Sequence, residues 1–137
     1  MIQVTPIGFV KNGMTKTPEK WSDTQSEIHI YPEFREALCG LEKFSHIVVV
    51  FYFHLSSVSP LKVHPRGRSD LPLVGVFSTR APVRPNPIGV SVVELLAVEG
   101  TVLTVKGLEA FDETPILDIK PHLSDISPHK VADWVYR

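Results

Sequence analysis

Residues 46–54 read HIVVVFYFH, and this stretch is the strongest strand signal in the chain. Its odd positions are all apolar, and its even positions are nearly so, with a histidine at each end. A strand that is apolar on both faces must be covered on both faces. We expect the second cover to be another wall of the same sheet or a second subunit.

Shorter strand patterns lie on both sides of this stretch. The seven expected strands are Val4 to Val10, Ser26 to Tyr31, His46 to His54, Val74 to Thr79, Val90 to Val98, Thr101 to Leu108 and Ile116 to Ile119. Glu99-Gly100 is typical of a two-residue hairpin turn between the fifth and sixth of them. About seven strands, without alternation of strands and helices, predict a mainly β fold: a single small, closed or partly closed β-barrel.

One short helix is expected between Pro32 and Gly40. Proline suits the first helical position, and glycine suits the position just past the end. Cys39 near its end is most simply a small buried or half-buried hydrophobic residue.

Length and composition exclude several classes of protein. The chain has 137 residues, a net charge of -1 and one cysteine. We expect one domain spanning residues 1–137, because no linker or repeat divides the chain. No apolar run approaches the ~20 residues of a spanning helix, and the opening MIQVTPIGFV lacks the features of a signal peptide. We therefore expect a cytoplasmic protein without a membrane partner, and not a generally cationic nucleic-acid coat.

The charge is unevenly distributed along the chain. Residues 62–84 carry a net charge of +4, whereas the segments before and after are net negative. This window is either a solvated loop that pairs with the acidic last third of the chain, or an anion site for a phosphate, a carboxylate or an RNA backbone. Its charged residues are Lys62, Arg66, Arg68, Asp70, Arg80 and Arg84.

Residues 79–89, TRAPVRPNPIG, are the most informative chemical motif. The three prolines predict a stiff, polyproline-like loop that loses little conformational entropy on binding. Arg80 and Arg84 lie roughly 12 Å apart along such a loop. One could hold a cofactor while the other faces a larger substrate, and a structural loop with paired arginines fits the same residues.

Residues 111–120, FDETPILDIK, place two acids on a loop at one end of the predicted barrel. Asp112 and Glu113 could act in acid–base chemistry, could bind ribose hydroxyls, or could be solvated turn residues. His46 and His54 are about 26 Å apart on one strand and cannot share a metal ion. No metal-ligand spacing and no glycine-rich phosphate loop occurs, so we expect no metal.

Three segments in order and spacing resemble a known family: GLEKFSHIVVVFYFH (40–54), GVFSTRAPVRPNPIGVSVVEL (75–95) and DETPILDIKP (112–121). They are similar to the TsaA-like family of TrmO-type tRNA adenosine methyltransferases and S-adenosylmethionine-binding β-barrel proteins. The resemblance runs from about Ile7 to His122.

This resemblance implies a small β-barrel that forms a homodimer, with S-adenosylmethionine bound near the dimer interface. It also implies tRNA as the partner, with the methyl group transferred to the exocyclic nitrogen of threonylcarbamoyl-adenosine beside the anticodon. Two other functions fit the same residues. One is a non-catalytic S-adenosylmethionine sensor, and the other is a methyltransferase for a small molecule.

The motif positions imply roles for individual residues. The cofactor-binding set is His54, Leu55, Arg80, Asn86, Val90, Glu109, Ala110, Phe111 and Asp112. Asp112 is the first candidate for the catalytic base and His54 the second. Lys62, Arg66, Arg68 and Arg84 are the candidates for holding RNA.

The chain departs from the family pattern at three places. Glu113 stands where family members usually have a glycine that permits positive φ or close approach. His122 stands where tyrosine is usual. Longer bacterial members carry a C-terminal domain thought to help with tRNA, whereas this chain stops at Arg137, so we expect the cofactor site to transfer more directly than the tRNA activity.

Overall fold

A barrel of antiparallel strands forms the body of this computed structural model, which describes residues 1–123 and 127–137. The strands in these residues are β1 (Gly8–Lys11), β2 (Gln25–Ile30), β3 (His46–Tyr52), β4 (Lys62–Val63), β5 (Val74–Gly75), β6 (Ile88–Glu99), β7 (Val102–Lys106) and β8 (Pro115–Pro121). Six of them close the barrel in the order β1-β2-β7-β6-β3-β8, and β4 pairs with β5 outside it. The mainly β, closed-barrel prediction is confirmed.

Period-two alternation fills the barrel interior. Ile28 and Ile30 of β2 are buried, as are Ile47, Val49 and Phe51 of β3. Burial of each such side chain stabilises the folded state by about 1.5–3 kcal/mol. The core therefore follows from the alternation that the sequence displays.

The outer face of β3 is only partly covered by this chain. Val48 and Val50 are half-buried, and Tyr52 is 39% exposed. In the register with β6, Val50 lies opposite Val90, which is 53% exposed. The two-faced strand thus leaves an apolar strip on the outside of the barrel.

The predicted hairpin is present as β6 and β7, but its two-residue turn is Gly100-Thr101 and not Glu99-Gly100, because Glu99 is the last residue of β6. Glu99 pairs with Val102 across the turn, and Gly100 has a φ of +63°. Glycine adopts this left-handed conformation without the steric penalty of a Cβ atom. A β-bulge between Leu95 and Ala97 shifts the register of the long strand β6.

The predicted strand Val74 to Thr79 is mostly wrong. Only Val74–Gly75 is extended, and it pairs with Lys62–Val63 away from the barrel. Val76–Ser78 forms a 3₁₀ turn, in which the Thr79 amide and hydroxyl both donate to the carbonyl of Val76. The barrel accordingly has six strands, whereas about seven were expected.

The predicted helix is a 3₁₀ helix, Pro32–Leu38, with proline at its first turn. Leu38 is its buried residue, and Cys39 is exposed, so the expected burial of Cys39 is wrong. The other 3₁₀ helices in the described residues are Trp21–Asp23, Leu41–Lys43, Pro65–Gly67, Val76–Ser78 and Asp133–Tyr136. Within residues 1–123 and 127–137, no helix has both the length and the apolar character needed to cross a membrane.

Candidate functional site

A cleft of about 1130 Å³ opens at one end of the barrel. At this end β3 and β7 finish and β2, β6 and β8 begin, because neighbouring strands are antiparallel. The cleft continues onto the outer face of β6 through Val90 and Val92. Its volume is slightly above the range of about 300–1,000 Å³ that is usual for small-molecule sites, so it has room for a cofactor and part of a second ligand.

Two aromatic rings and a glycine form the floor of the cleft. Phe51 and Phe53 meet edge to face, with ring centroids 5.2 Å apart. Gly89 of β6 lies against them, and a Cβ atom at this position would be 2.7 Å from carbons of both rings. Real Cβ atoms do not come so close, so glycine is required if β6 is to pack on these rings.

The proline-rich loop forms one wall, and Arg84 holds its shape. The Arg84 guanidinium donates to the carbonyls of Thr79 at 2.9 Å and Ala81 at 3.2 Å. The Ser56 hydroxyl donates to the carbonyl of Pro82 at 3.0 Å and ties the loop to the segment that follows β3. Arg80 is exposed and lines the cleft. The two arginines therefore differ: Arg84 supports the loop from within, and Arg80 presents its charge to the cleft.

Another part of the wall comes from Glu109, Ala110 and Phe111, and their loop, Glu109–Asp112, is fastened by Asn12. The Asn12 side-chain amide donates to the carbonyl of Ala110 at 3.0 Å and to the hydroxyl of the buried Ser26 at 2.9 Å. The Asp112 amide donates to the carbonyl of Met14 at 2.8 Å. The loop is thus held against the segment that follows β1.

The Asp112 carboxylate also holds this loop against the segment that follows β1. Its Oδ1 accepts hydrogen bonds from the backbone amides of Gly13 at 3.0 Å and Asn12 at 2.8 Å. These two bonds to the ionised form lower the pKa of Asp112 below its ordinary value of 3.8. Asp112 is not among the residues that line the cleft.

Glu113 has a φ of +67°, in the left-handed region. The sequence resemblance implies a glycine at this position, and a glycine would adopt this conformation without the penalty of a Cβ atom. A non-glycine residue is strained at such an angle.

The basic window 62–84 does not form a single patch. Arg66 lines the cleft, and its guanidinium donates to the carbonyls of Trp134 and Val135, both at 3.3 Å. Arg68 forms a two-pronged pair with Asp70, with Nη2 2.6 Å from Oδ2, and also donates to the carbonyl of Arg137. The Arg68 guanidinium lowers the pKa of Asp70.

Most of the residues predicted from the motifs come together in the cleft. Those that line it are His54, Leu55, Arg66, Arg80, Arg84, Val90, Glu109, Ala110 and Phe111. Those outside the lining are Lys62, Arg68, Asn86 and Asp112. Within the described ranges, no group of three His, Cys, Asp or Glu side chains is placed to hold a metal ion.

The sequence reasoning missed several lining residues, among them Thr17, Trp21 and Phe51. Phe51 belongs to the strongest strand of the sequence. That it lies at the cleft follows only from the closure of the barrel, which the local pattern does not show. Thr17 and Trp21 lie between β1 and β2, in a stretch without hydrophobic periodicity, so no local pattern marks them as part of a site.

A family model described as the tRNA-methyltransferase O N-terminal domain matches residues 9–127. The chain belongs to this family. The match confirms the family suggested by the three sequence segments.

Similar proteins and solved structures point to the same family. A Methanothermobacter thermautotrophicus protein named a probable S-adenosyl-L-methionine-binding protein is 45% identical over 130 residues, which are 91% of this chain and 93% of the relative. A human tRNA (adenine(37)-N6)-methyltransferase is 35% identical over 141 residues, covering 93% of this chain and 32% of the relative. The crystal structure of TrmO from P. aeruginosa superposes with a TM-score of 0.78 at 31% identity, over 98% of this chain and 62% of that structure. The chain thus spans less than two thirds of the human enzyme and of the solved TrmO.

Proposed function

We propose that this family member is an S-adenosylmethionine-dependent methyltransferase acting on an adenosine in tRNA. The observation that carries the proposal is the gathering of the family's motif residues around one cleft: His54 and Leu55, Arg80, Val90, and the loop Glu109–Phe111. Relatives named as S-adenosyl-L-methionine-binding proteins support the cofactor, and a relative named as a tRNA (adenine(37)-N6)-methyltransferase supports the tRNA substrate.

The lining of the cleft fits this cofactor. Phe53 and Val90 offer apolar contact area, and the Arg80 guanidinium can form a charge-assisted pair with a carboxylate. We assign Arg80 to the amino-acid end of the cofactor for this reason. When bound, S-adenosylmethionine supplies an electrophilic methyl group. The protein's contribution is then to position the acceptor nitrogen and to exclude water.

The acceptor nitrogen loses a proton as it is methylated, so a nearby base assists. Of the two candidates, His54 lines the cleft, whereas Asp112 binds the backbone amides of Asn12 and Gly13 through Oδ1. We therefore propose His54 as the base, and Asp112 as the residue that holds the loop Glu109–Asp112 in position.

The proposed acceptor is the exocyclic nitrogen of threonylcarbamoyl-adenosine beside the anticodon. This finer assignment rests on the family resemblance, with support from the adenine named in the human relative. Because tRNA is the proposed substrate, we also propose a cytoplasmic location.

For binding the RNA backbone, Arg66 at the cleft and the exposed Lys62 are the best placed of the four basic candidates. Arg68 pairs with Asp70, and Arg84 supports its own loop.

We further propose that two copies associate through the apolar strip on the outer face of β3 and β6. Val90 and Val92 are 53% and 50% exposed, and both also line the cleft. Exposed apolar surface of this kind is typical of an interface between proteins. The strip and the cleft share residues, which is the arrangement expected if the cofactor lies near the interface.

The function is tested by incubating the protein with deuteromethyl S-adenosylmethionine and tRNA, and then analysing the nucleosides by mass spectrometry. Two tRNA samples are compared, one carrying threonylcarbamoyl-adenosine and one lacking the threonylcarbamoyl group. We expect label in the modified adenosine of the first sample. Cofactor binding without label in any nucleoside would favour a sensor or a small-molecule methyltransferase over the proposed reaction.

A further inference from the structure

Trp21 lies on the wall of the cleft although it belongs to none of the motifs that led to the site. It begins the 3₁₀ turn Trp21–Asp23, which Thr24 alone separates from β2. The Thr24 amide donates to the carbonyl of Trp21 at 3.0 Å, and the Gly107 amide donates to the carbonyl of Thr24 at 2.9 Å. The backbone of Trp21 is therefore tied to the end of β7 at the cleft end of the barrel.

The indole of Trp21 contacts the ring of Phe111, with centroids 5.8 Å apart and planes at 53°. Phe111 lies in the loop that Asn12 fastens through Ala110, so its position is supported as well. Rings tilted by this angle do not cover each other's faces as a stacked pair does. Both residues are partly exposed and both line the cleft, so aromatic surface remains for a further planar group.

The chemistry of the cleft differs between its contributing segments. The guanidiniums come from residues 66–84, and the aromatic pair comes from the turn before β2 and the loop after β7. A tryptophan face offers an uncharged planar ring a stacking surface, whereas the guanidiniums offer charge-assisted hydrogen bonds to carboxylates and phosphates. Stacking of a nucleobase on an aromatic side chain is a strong, sequence-independent contact.

We propose that Trp21, supported by Phe111, is the adenine-stacking residue of the cleft. This inference rests on the proposed function, in which two adenine rings meet at the site: that of the cofactor and that of the target nucleoside. Trp21 thus contributes affinity by stacking, and the experiment decides which of the two adenine rings it holds.

Intrinsic fluorescence tests the proposal directly, because the chain has two tryptophans. In a Trp134→Phe background, the emission comes from Trp21 alone. This variant is titrated separately with S-adenosylhomocysteine and with an anticodon stem-loop RNA, and binding of each ligand is measured in parallel by calorimetry. We expect a saturable loss of Trp21 emission with one of the two.

Each outcome has a distinct meaning. Loss of emission with S-adenosylhomocysteine assigns the cofactor's adenine, and loss with the RNA alone assigns the target adenosine. Calorimetric binding of both ligands with unchanged emission would overturn the role of Trp21 and leave the proposed function standing. Binding of neither ligand would overturn the proposed function, and this inference with it.

Substitutions at Trp21 separate stacking from packing against Phe111. Trp21→Leu keeps an apolar side chain but removes the aromatic face, whereas Trp21→Phe keeps an aromatic face. We expect Trp21→Leu to raise the dissociation constant of the quenching ligand about tenfold, and Trp21→Phe to restore most of the affinity. Equal affinities of the leucine and phenylalanine variants, in folded proteins, would show that Trp21 is only a packing residue.

Discussion

At the scale of single residues, Glu113 and Arg66 both have the positive φ that strains a non-glycine residue, and Glu113 gives the prediction. Its φ of +67° is unfavourable for a residue with a Cβ atom. Glu113→Gly removes that strain but also raises the entropy of the unfolded chain, so we expect a net gain of about 0.5–1 kcal/mol in the free energy of unfolding. Urea unfolding followed by circular dichroism measures the difference. Glu113→Ala is the matched control, and an equal gain in that variant would mean that strain at φ is not the cause.

The lowered pKa of Asp112 predicts how the stability of the fold depends on pH. The lowered pKa means that the ionised carboxyl stabilises the folded state at pH values above its ordinary pKa of 3.8. That stabilisation is lost as the pH falls through the still lower pKa of the folded state. We therefore expect Asp112→Asn to be less stable than the wild-type chain at neutral pH, with the gap narrowing below pH 3.8.

The measurement for Asp112 is a series of urea unfolding curves from neutral pH into the acid range. Glu113→Gln serves as a control, because it removes a carboxylate from the adjacent position and leaves the hydrogen bonds from Asn12 and Gly13 to Asp112 in place. A stability gap for Asp112→Asn that does not change with pH would contradict the role given to the ionised carboxylate.

Sequence reasoning found the acid of the loop Glu109–Asp112 but not its partners. Asp112 stands out in FDETP, whereas Asn12 lies about a hundred residues earlier in a stretch without a motif. Only the closure of β1 onto β8 brings the two together. Contacts between distant segments depend on the fold, so the local pattern could nominate Asp112 and could not assign its role.

At the scale of elements, the side-chain pattern predicted most barrel strands well, but the first strand begins at Gly8 and not at the expected Val4. The hairpin β6–β7 and the buried faces of β2 and β3 follow from the local pattern of side chains. The prediction for Val74 to Thr79 failed because only its first two residues are extended. Hydrogen bonds from Thr79 to Val76 favour a tight turn there over an extended strand.

The close packing of β6 on the cleft floor gives a prediction at this scale. A Cβ atom at Gly89 would lie 2.7 Å from the rings of Phe51 and Phe53, so Gly89→Ala forces the rings to move. Overpacking of this kind typically costs about 1–3 kcal/mol of stability. We expect that loss in urea unfolding, together with weaker cofactor binding.

Gly75→Ala is the matched control for Gly89→Ala. Gly75 also lies in a strand and has a φ of -60°. A Cβ atom added to Gly75 would meet no atom within 4 Å beyond its chain neighbours in the described residues. Similar losses of stability in the two variants would argue against ring contact as the reason for glycine at position 89.

At the scale of the whole molecule, the net charge of -1 includes a basic segment, residues 62–84, whose arginines lie partly at the cleft and partly outside it. Arg66, Arg80 and Arg84 border the cleft, whereas Arg68 is paired with Asp70. The near-neutral total excluded a cationic coat, and the fold explains how a neutral chain can still present a local basic surface. Composition alone could not assign individual arginines to the cleft.

The apolar strip predicts the state of association. We expect light scattering after size-exclusion chromatography to give the mass of two chains, and we expect Val92→Lys to give one, because a buried ammonium opposes association. Val4→Lys is the control, since Val4 is 64% exposed and lies in the segment before β1. A monomeric wild-type chain, or equal dissociation by both variants, would refute the proposed interface.

The central claim is that the cleft at the barrel end binds S-adenosylmethionine, with Arg80 facing the ligand. Calorimetric titration with S-adenosylhomocysteine tests it in the wild-type chain, in Arg80→Ala and in Arg68→Ala. We expect one ligand per chain, an increase of about tenfold in the dissociation constant for Arg80→Ala, and no change for Arg68→Ala, whose guanidinium is engaged by Asp70 outside the cleft. Absence of binding by the wild-type chain, or the same loss of affinity in both variants, would contradict the account.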